Sequence, residues 1–225
     1  QETCLVARGE HLEAIRSHGL RFERKAGDLL TAQVPASSRA ADFGPQDVVI
    51  VTVKAHALAS ATPAIFPLLH STTCVVYTLN GIPWWYFHRS GDPFEGWRID
   101  RLDPSGLLWD EVGIERAIGC VVNFSASVPK PGMVRREGAA NRLWIGEPGG
   151  TASDRLASVA AALSAAGFEV ETETPIREAV WAKLCRGAVS SALATLVAAP
   201  SGFVLGEGGL RPLFRDAMME MRAIA

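Results

Sequence analysis

The sequence predicts an α/β protein: a mostly parallel sheet domain over residues 1–174, then an all-α region over residues 175–225. Three observations lead there. The runs DVVIVTVK (Asp47 to Lys54) and TCVVYTL (Thr73 to Leu79) are rich in β-branched residues and apolar on both faces, as strands covered by helices are. Between them, Ala57, Ala61, Ile65 and Leu69 share one helical stripe, so the stretch reads as strand, crossover, strand: a βαβ unit with parallel strands. After Thr174-Pro175 the strand signal stops, and only helical patterning follows.

The remaining elements follow in chain order. Thr3 to Ala7 (TCLVA) reads as a buried strand, and Glu10 to His18 as a short helix with Leu12 and Ile15 inward and Gly19 as its C-cap. Leu20–Glu23 and Leu29–Val34 suit a hairpin turning at Gly27-Asp28, and Ser37–Phe43 suits a short helix. Pro83 fits the first turn of a helix within IPWWYF, and the Gly-, Pro- and Asp-rich residues 88–113 read as irregular or hairpin-like. Gly119–Phe124 is a further buried strand. Met133–Glu137 and Arg142–Gly146 alternate like an antiparallel pair joined by Gly138–Asn141. An amphipathic helix over Thr151–Ala166, with Ser153 as N-cap and Leu156, Val159 and Leu163 inward, leads through Gly167 to a strand over Phe168–Glu173. Ile176–Leu196 and Arg211–Ala225 are helices separated by a Gly/Pro-rich break at Ala199–Gly209.

Composition narrows the function. The 225 residues are 48% hydrophobic and 20% charged, with a formal net charge of −2. Nothing in that balance points to nucleic acid or an anionic membrane, and no apolar run has the length of about 18 residues that a membrane span needs. No signal-peptide pattern starts at Gln1. Cys4, Cys74, Cys120 and Cys185 are far apart without CxxC spacing, which reads as reduced thiols of a cytoplasmic protein rather than a metal site. The five histidines show no metal-binding spacing, and Trp84-Trp85 reads as packing.

Four positions stand out chemically. In open α/β sheets, ligands sit beyond the carboxyl ends of the strands. Lys54 and Asn80 fall there, at the ends of neighbouring strands, where a cation and an amide meet either a ligand or open solvent. Arg8 ends the first strand; in a dinucleotide site an arginine there accommodates a ribose 2′-phosphate, and otherwise it is an exposed loop arginine. Lys183 interrupts an apolar helix, with Gly187 and Ser191 on its face one and two turns on. A partly desolvated lysine loses proton affinity and can serve as a general acid; the alternative is a side chain that snorkels to water.

Together these residues resemble the ketopantoate reductase (2-dehydropantoate 2-reductase) family. The resemblance is carried by VARGEHLEAIRSHGLRF (Val6 to Phe22), VKAHAL (Val53 to Leu58), LNGIPWWYF (Leu79 to Phe87), IGCVV (Ile118 to Val122) and IREAVWAKL (Ile176 to Leu184). It implies a Rossmann-like domain and a helical domain with the active site between them. It further implies NADPH-dependent reduction of ketopantoate to pantoate on the route to coenzyme A, in a possible homodimer. By position, Lys183 corresponds to the family's catalytic lysine, Arg8 to its 2′-phosphate-binding arginine, and Lys54 and Asn80 to the lysine and asparagine of the cofactor and substrate cleft. Ser191 is a substrate contact by the same reasoning.

Three departures accompany the resemblance. The family's first strand and GxGxxG loop, about 20 residues before the arginine, have no counterpart here, and neither does the end of its helical domain. The sequence therefore reads as a fragment, in which the neighbours of a first strand would be exposed. Gly187 and Ser191 occupy positions that usually hold asparagines. This leaves open a related NADP-dependent reductase of another 2-keto acid, or a catalytically silent NADP-binding homologue.

Overall fold

The computed structural model describes residues 2–25, 27–172, 174–200, 202–203, 206 and 210–224. Its centre is a sheet of seven strands in the order β3-β2-β8-β7-β6-β5, with β9 also paired to β8. The strands are β2 (Leu20–Lys25), β3 (Asp28–Ala32), β5 (Val48–Val51), β6 (Cys74–Tyr77), β7 (Ala117–Lys130), β8 (Met133–Gly146) and β9 (Glu169–Glu171). All pairings in it are parallel except β2 with β3 and β7 with β8. A separate two-stranded parallel sheet joins β1 (Leu5–Val6) to β4 (Ala36–Ser37). The helices are α1 (Gly9–His18), α2 (Leu58–Ala61), α3 (Asp154–Ala165), α4 (Ile176–Leu196) and α5 (Leu210–Ile224).

The expected parallel pair is present, with Val48 opposite Cys74 and Val51 opposite Tyr77. Its crossover differs from the expected helix. Leu58–Ala61 is the only α-helical part, flanked by 3₁₀ turns at Ala55–Ala57, Thr62–Ala64 and Phe66–Leu68. Pro63 and Pro67 explain this: each removes an N–H donor and crowds the carbonyl four residues earlier, so an α-helix cannot run through. β5 is covered on one face only. Val49 and Val51 are buried, whereas Val48 and Ile50 are 37% and 46% exposed, and Val6 of β1 is 47% exposed.

Further corrections have equally local causes. Met133–Glu137 and Arg142–Gly146 belong to a single strand, β8, whose antiparallel partner is β7. The turn lies at Pro131-Gly132, with Lys130 opposite Met133 and Gly132 at φ 71°. Gly138, at φ 77°, sits beside the register shift between Asn123 and Ser125, so it bulges the strand instead of reversing it. Ser37 is in a strand, and only Ala40–Asp42 after it is helical, as a 3₁₀ turn. IPWWYF forms successive turns, with the Tyr86 N–H donating to the Pro83 carbonyl. Leu108–Gly113 within the predicted irregular stretch is a π-helical turn. The end of the predicted strand at Glu173, the Gly27 turn's neighbour Ala26 and much of the break at 199–209 lie outside the described residues. Ser153 caps α3 as expected, its hydroxyl accepting from the Leu156 N–H at 3.2 Å.

Alternation along β6 and β7 divides the core. Val75, Tyr77, Ala117 and Val121 face Trp84, Trp85, Ile176, Ala179 and Val180, while Cys74, Val76, Ile118 and Cys120 face Leu156 and Val159 of α3. The first turn of α4 reaches the sheet because two glycines pair across β7 and β8, Gly119 opposite Gly146. A Cβ at Gly119 would lie 2.5 Å from the Trp85 ring and 2.6 Å from Ile176, and one at Gly146 would lie 2.9 Å from Ile176. The missing side chains form the seat for Ile176, and that seat aims α4 past the carboxyl end of β6.

Candidate functional site

Strand register sets the level of the site. Val51 pairs with Tyr77, and Tyr77 with Gly119. Three residues further along each chain stand Lys54, Asn80 and Val122. β7 continues at this level while β5 and β6 have ended. Lys183 meets β7 here, its Nζ donating to the Val122 carbonyl at 2.5 Å. Lys183 comes from the third turn of a helix whose first turn is seated on the glycine pair, so two fixed points define its position.

A cleft of about 280 Å³ opens beside this contact, lined by Asn80, Gly81, Lys183, Gly187 and Ser191 on its more polar side and by Leu79, Val121, Val180, Leu184 and Ala188 on the apolar side. The structure thus brings together Asn80, Lys183 and Ser191. Gly81, at φ 89°, turns the chain away directly after Asn80. Burial holds the proton affinity of Lys183 below the ordinary lysine value, and the Arg186 guanidinium adds to that shift. Burial also pushes the Cys120 thiol up to about 12, so it stays protonated. The Lys183 amine therefore has a single good acceptor, a backbone carbonyl, and no carboxylate partner among the described residues.

Lys54 and Arg8 do not line this cleft. Lys54 is exposed on the neighbouring strand end. Arg8 is exposed at the carboxyl end of β1 and forms the N-cap of α1 without a side-chain cap bond. Neither side chain has a hydrogen-bond or ion-pair partner among the described residues. Arg8 stands at the N-terminus of the ten-residue α1 and Lys54 beyond the end of β5, each exposed.

Of the apolar wall, Leu184 and Ala188 are flanks of Lys183 that helical spacing predicts, although Ala188 is exposed, whereas Val121 comes from β7 and no spacing along α4 points to it. Gly187 needs no special backbone, and nothing lies within 4 Å of a Cβ built on it. Gly187→Ala is expected to raise the unfolding free energy by about 0.5–1 kcal/mol through helix propensity alone, read as a later urea midpoint at unchanged slope.

Comparison with known proteins follows the same line. The family described as ketopantoate reductase PanE/ApbA matches residues 1–84. A 2-dehydropantoate 2-reductase of Mesorhizobium japonicum is 39% identical over 224 residues, which is 99% of this chain and 68% of that protein. A 2-dehydropantoate 2-reductase of Halobacterium salinarum is 27% identical over 183 residues, 81% of this chain and 53% of its own length. The crystal structure of a provisionally assigned ketopantoate reductase from Ralstonia solanacearum superposes with a TM-score of 0.90 at 38% identity, covering 100% of this chain and 69% of that one.

Proposed function

The chain belongs to the ketopantoate reductase family, and on that premise we propose that it takes part in the NADPH-dependent reduction of 2-dehydropantoate to pantoate. The observation that carries this reading is the half-buried Lys183 ammonium sharing one cleft with Asn80 and Ser191 beyond the end of a parallel strand. No helix among the described residues is long and apolar enough to cross a membrane.

Each residue has a distinct task. Arg8 takes the 2′-phosphate through its planar fork, and Lys54 adds positive charge beside the cofactor. When bound, NADPH supplies the hydride. Asn80 orients the keto acid through its amide, and Ser191 offers a hydroxyl from two turns beyond Lys183. As negative charge gathers on the keto oxygen, the Lys183 ammonium donates a hydrogen bond to it and then its proton, leaving a neutral amine and an alcohol. Lys183's weakened hold on its proton suits this transfer, and Val121, Val180 and Leu184 give the cleft an apolar side beside it.

Open space at Gly187 favours a second reading, in which the substrate is a bulkier 2-keto acid than ketopantoate. NADPH oxidation with ketopantoate and with a series of larger 2-keto acids tests both. Turnover of ketopantoate supports the first reading and turnover of larger acids alone supports the second. NADPH binding with no turnover of any acid contradicts both and leaves a silent homologue.

A further inference from the structure

We propose that Arg177 is a positioning residue that fixes Asn80 and Lys183 relative to one another; this rests on the assignment of Lys183 as proton donor. Arg177 lies six residues before Lys183 on α4. Its guanidinium has no carboxylate partner among the described residues. It is instead spread over three backbone carbonyls: Nε donates to Tyr86 at 2.8 Å, Nη2 to His88 at 2.7 Å, and Nη1 to Pro148. The same group lies 5.5 Å from the Tyr86 ring centroid. One turn on, the Trp181 indole N–H donates to the Tyr86 hydroxyl at 2.7 Å.

Two of the three carbonyls belong to the segment that carries Asn80. That segment leaves β6 at Tyr77, passes Asn80-Gly81, and is anchored by Trp84 and Trp85, each 1% exposed. Its far end is held by Arg177 at Tyr86 and His88. Asn80 therefore sits on a span fixed by the sheet at one end and by α4 at the other. The third carbonyl, Pro148, follows β8, so the same guanidinium also ties α4 to the sheet. Burial weakens Arg177's proton affinity, with Tyr86, Asp92 and Glu95 opposing that shift. A desolvated cation paired only with carbonyls costs stability compared with an apolar side chain. What it provides is geometry, because a planar fork can reach three acceptors in fixed directions. A lysine ammonium cannot reproduce that arrangement.

The test is Arg177→Lys, which keeps the charge and most of the volume, with Tyr86→Phe as a milder variant that removes only the Trp181 bond. For Arg177→Lys the expected result is a fall in kcat of about tenfold, with KM for the keto acid rising less and NADPH affinity within about twofold of wild type. In a Lys183→Ala background the same substitution is expected to cost little, since the geometry it sets is no longer used. The alkaline midpoint of kcat should move in Arg177→Lys, because the surroundings of Lys183 change. Tyr86→Phe should fall between wild type and Arg177→Lys. The inference is overturned if Arg177→Lys keeps full kcat. It is equally overturned if its loss persists undiminished in the Lys183→Ala background, or if NADPH affinity falls as far as kcat. Failure of the underlying assignment looks different: Lys183→Ala alone would then retain wild-type turnover.

Discussion

Lys183→Ala is expected to reduce kcat for keto-acid reduction by about 10²–10⁴-fold, the range general-acid catalysis supplies, while NADPH affinity stays within about twofold of wild type. The loss falls on kcat because the ammonium matters most when charge has built up on the keto oxygen, not while the substrate merely occupies the cleft. Stability should change little or improve. Lys183 is partly desolvated and bonds to a single backbone carbonyl, so removing it relieves a burial cost while orphaning only the Val122 acceptor. Stopped-flow oxidation of NADPH, alongside a fluorescence titration of cofactor binding, separates the two effects. Equal losses in binding and turnover would instead mark Lys183 as a cofactor contact.

Arg8→Ala carries the next largest effect. A charge-assisted bond contributes about 1.5–3 kcal/mol, so kcat/KM for NADPH should fall by about 10–100-fold while the value for NADH is nearly unchanged. The cause is local. Arg8 is exposed and without a side-chain partner among the described residues, so its removal breaks no contact within the fold. Lys54, at another strand end, cannot replace a fork that grips two phosphate oxygens at once. Steady-state kinetics with both cofactors decide the matter; an unchanged NADPH preference removes Arg8 from the site.

The sequence made the sheet legible wherever apolar runs ended in polar residues. Val48–Val51 and Cys74–Tyr77 announce themselves in this way, and so does the placement of Asn80 and Lys54 just beyond them. Lys183 and Ser191 were legible because a helix of 21 residues repeats its faces regularly. Two kinds of structure were not legible. Gly138 and Asn141 are turn formers by type, yet β8 runs through them because β7 offers a continuous partner on one side; the Pro131-Gly132 dipeptide was the real signal. The crossover between β5 and β6 kept its helical stripe in sequence, but its two prolines broke it into short turns. Arg177 was hidden for a different reason. Its partners are carbonyl groups of Tyr86, His88 and Pro148, and a backbone carbonyl has no residue type to recognise.

The pH dependence of kcat, measured with saturating NADPH and ketopantoate for wild type and Lys183→Ala, decides whether Lys183 is the proton donor. A general acid acts in its protonated form, so turnover must fall as pH rises through the lysine's own pKa. Because burial lowers that pKa, the midpoint of the fall should lie below the value of an ordinary lysine. Oxidation of pantoate, which needs the neutral amine, should rise across the same interval. The residual activity of Lys183→Ala should show neither limb. An alkaline limb of the same midpoint in both proteins would assign the proton to another group and contradict the mechanism.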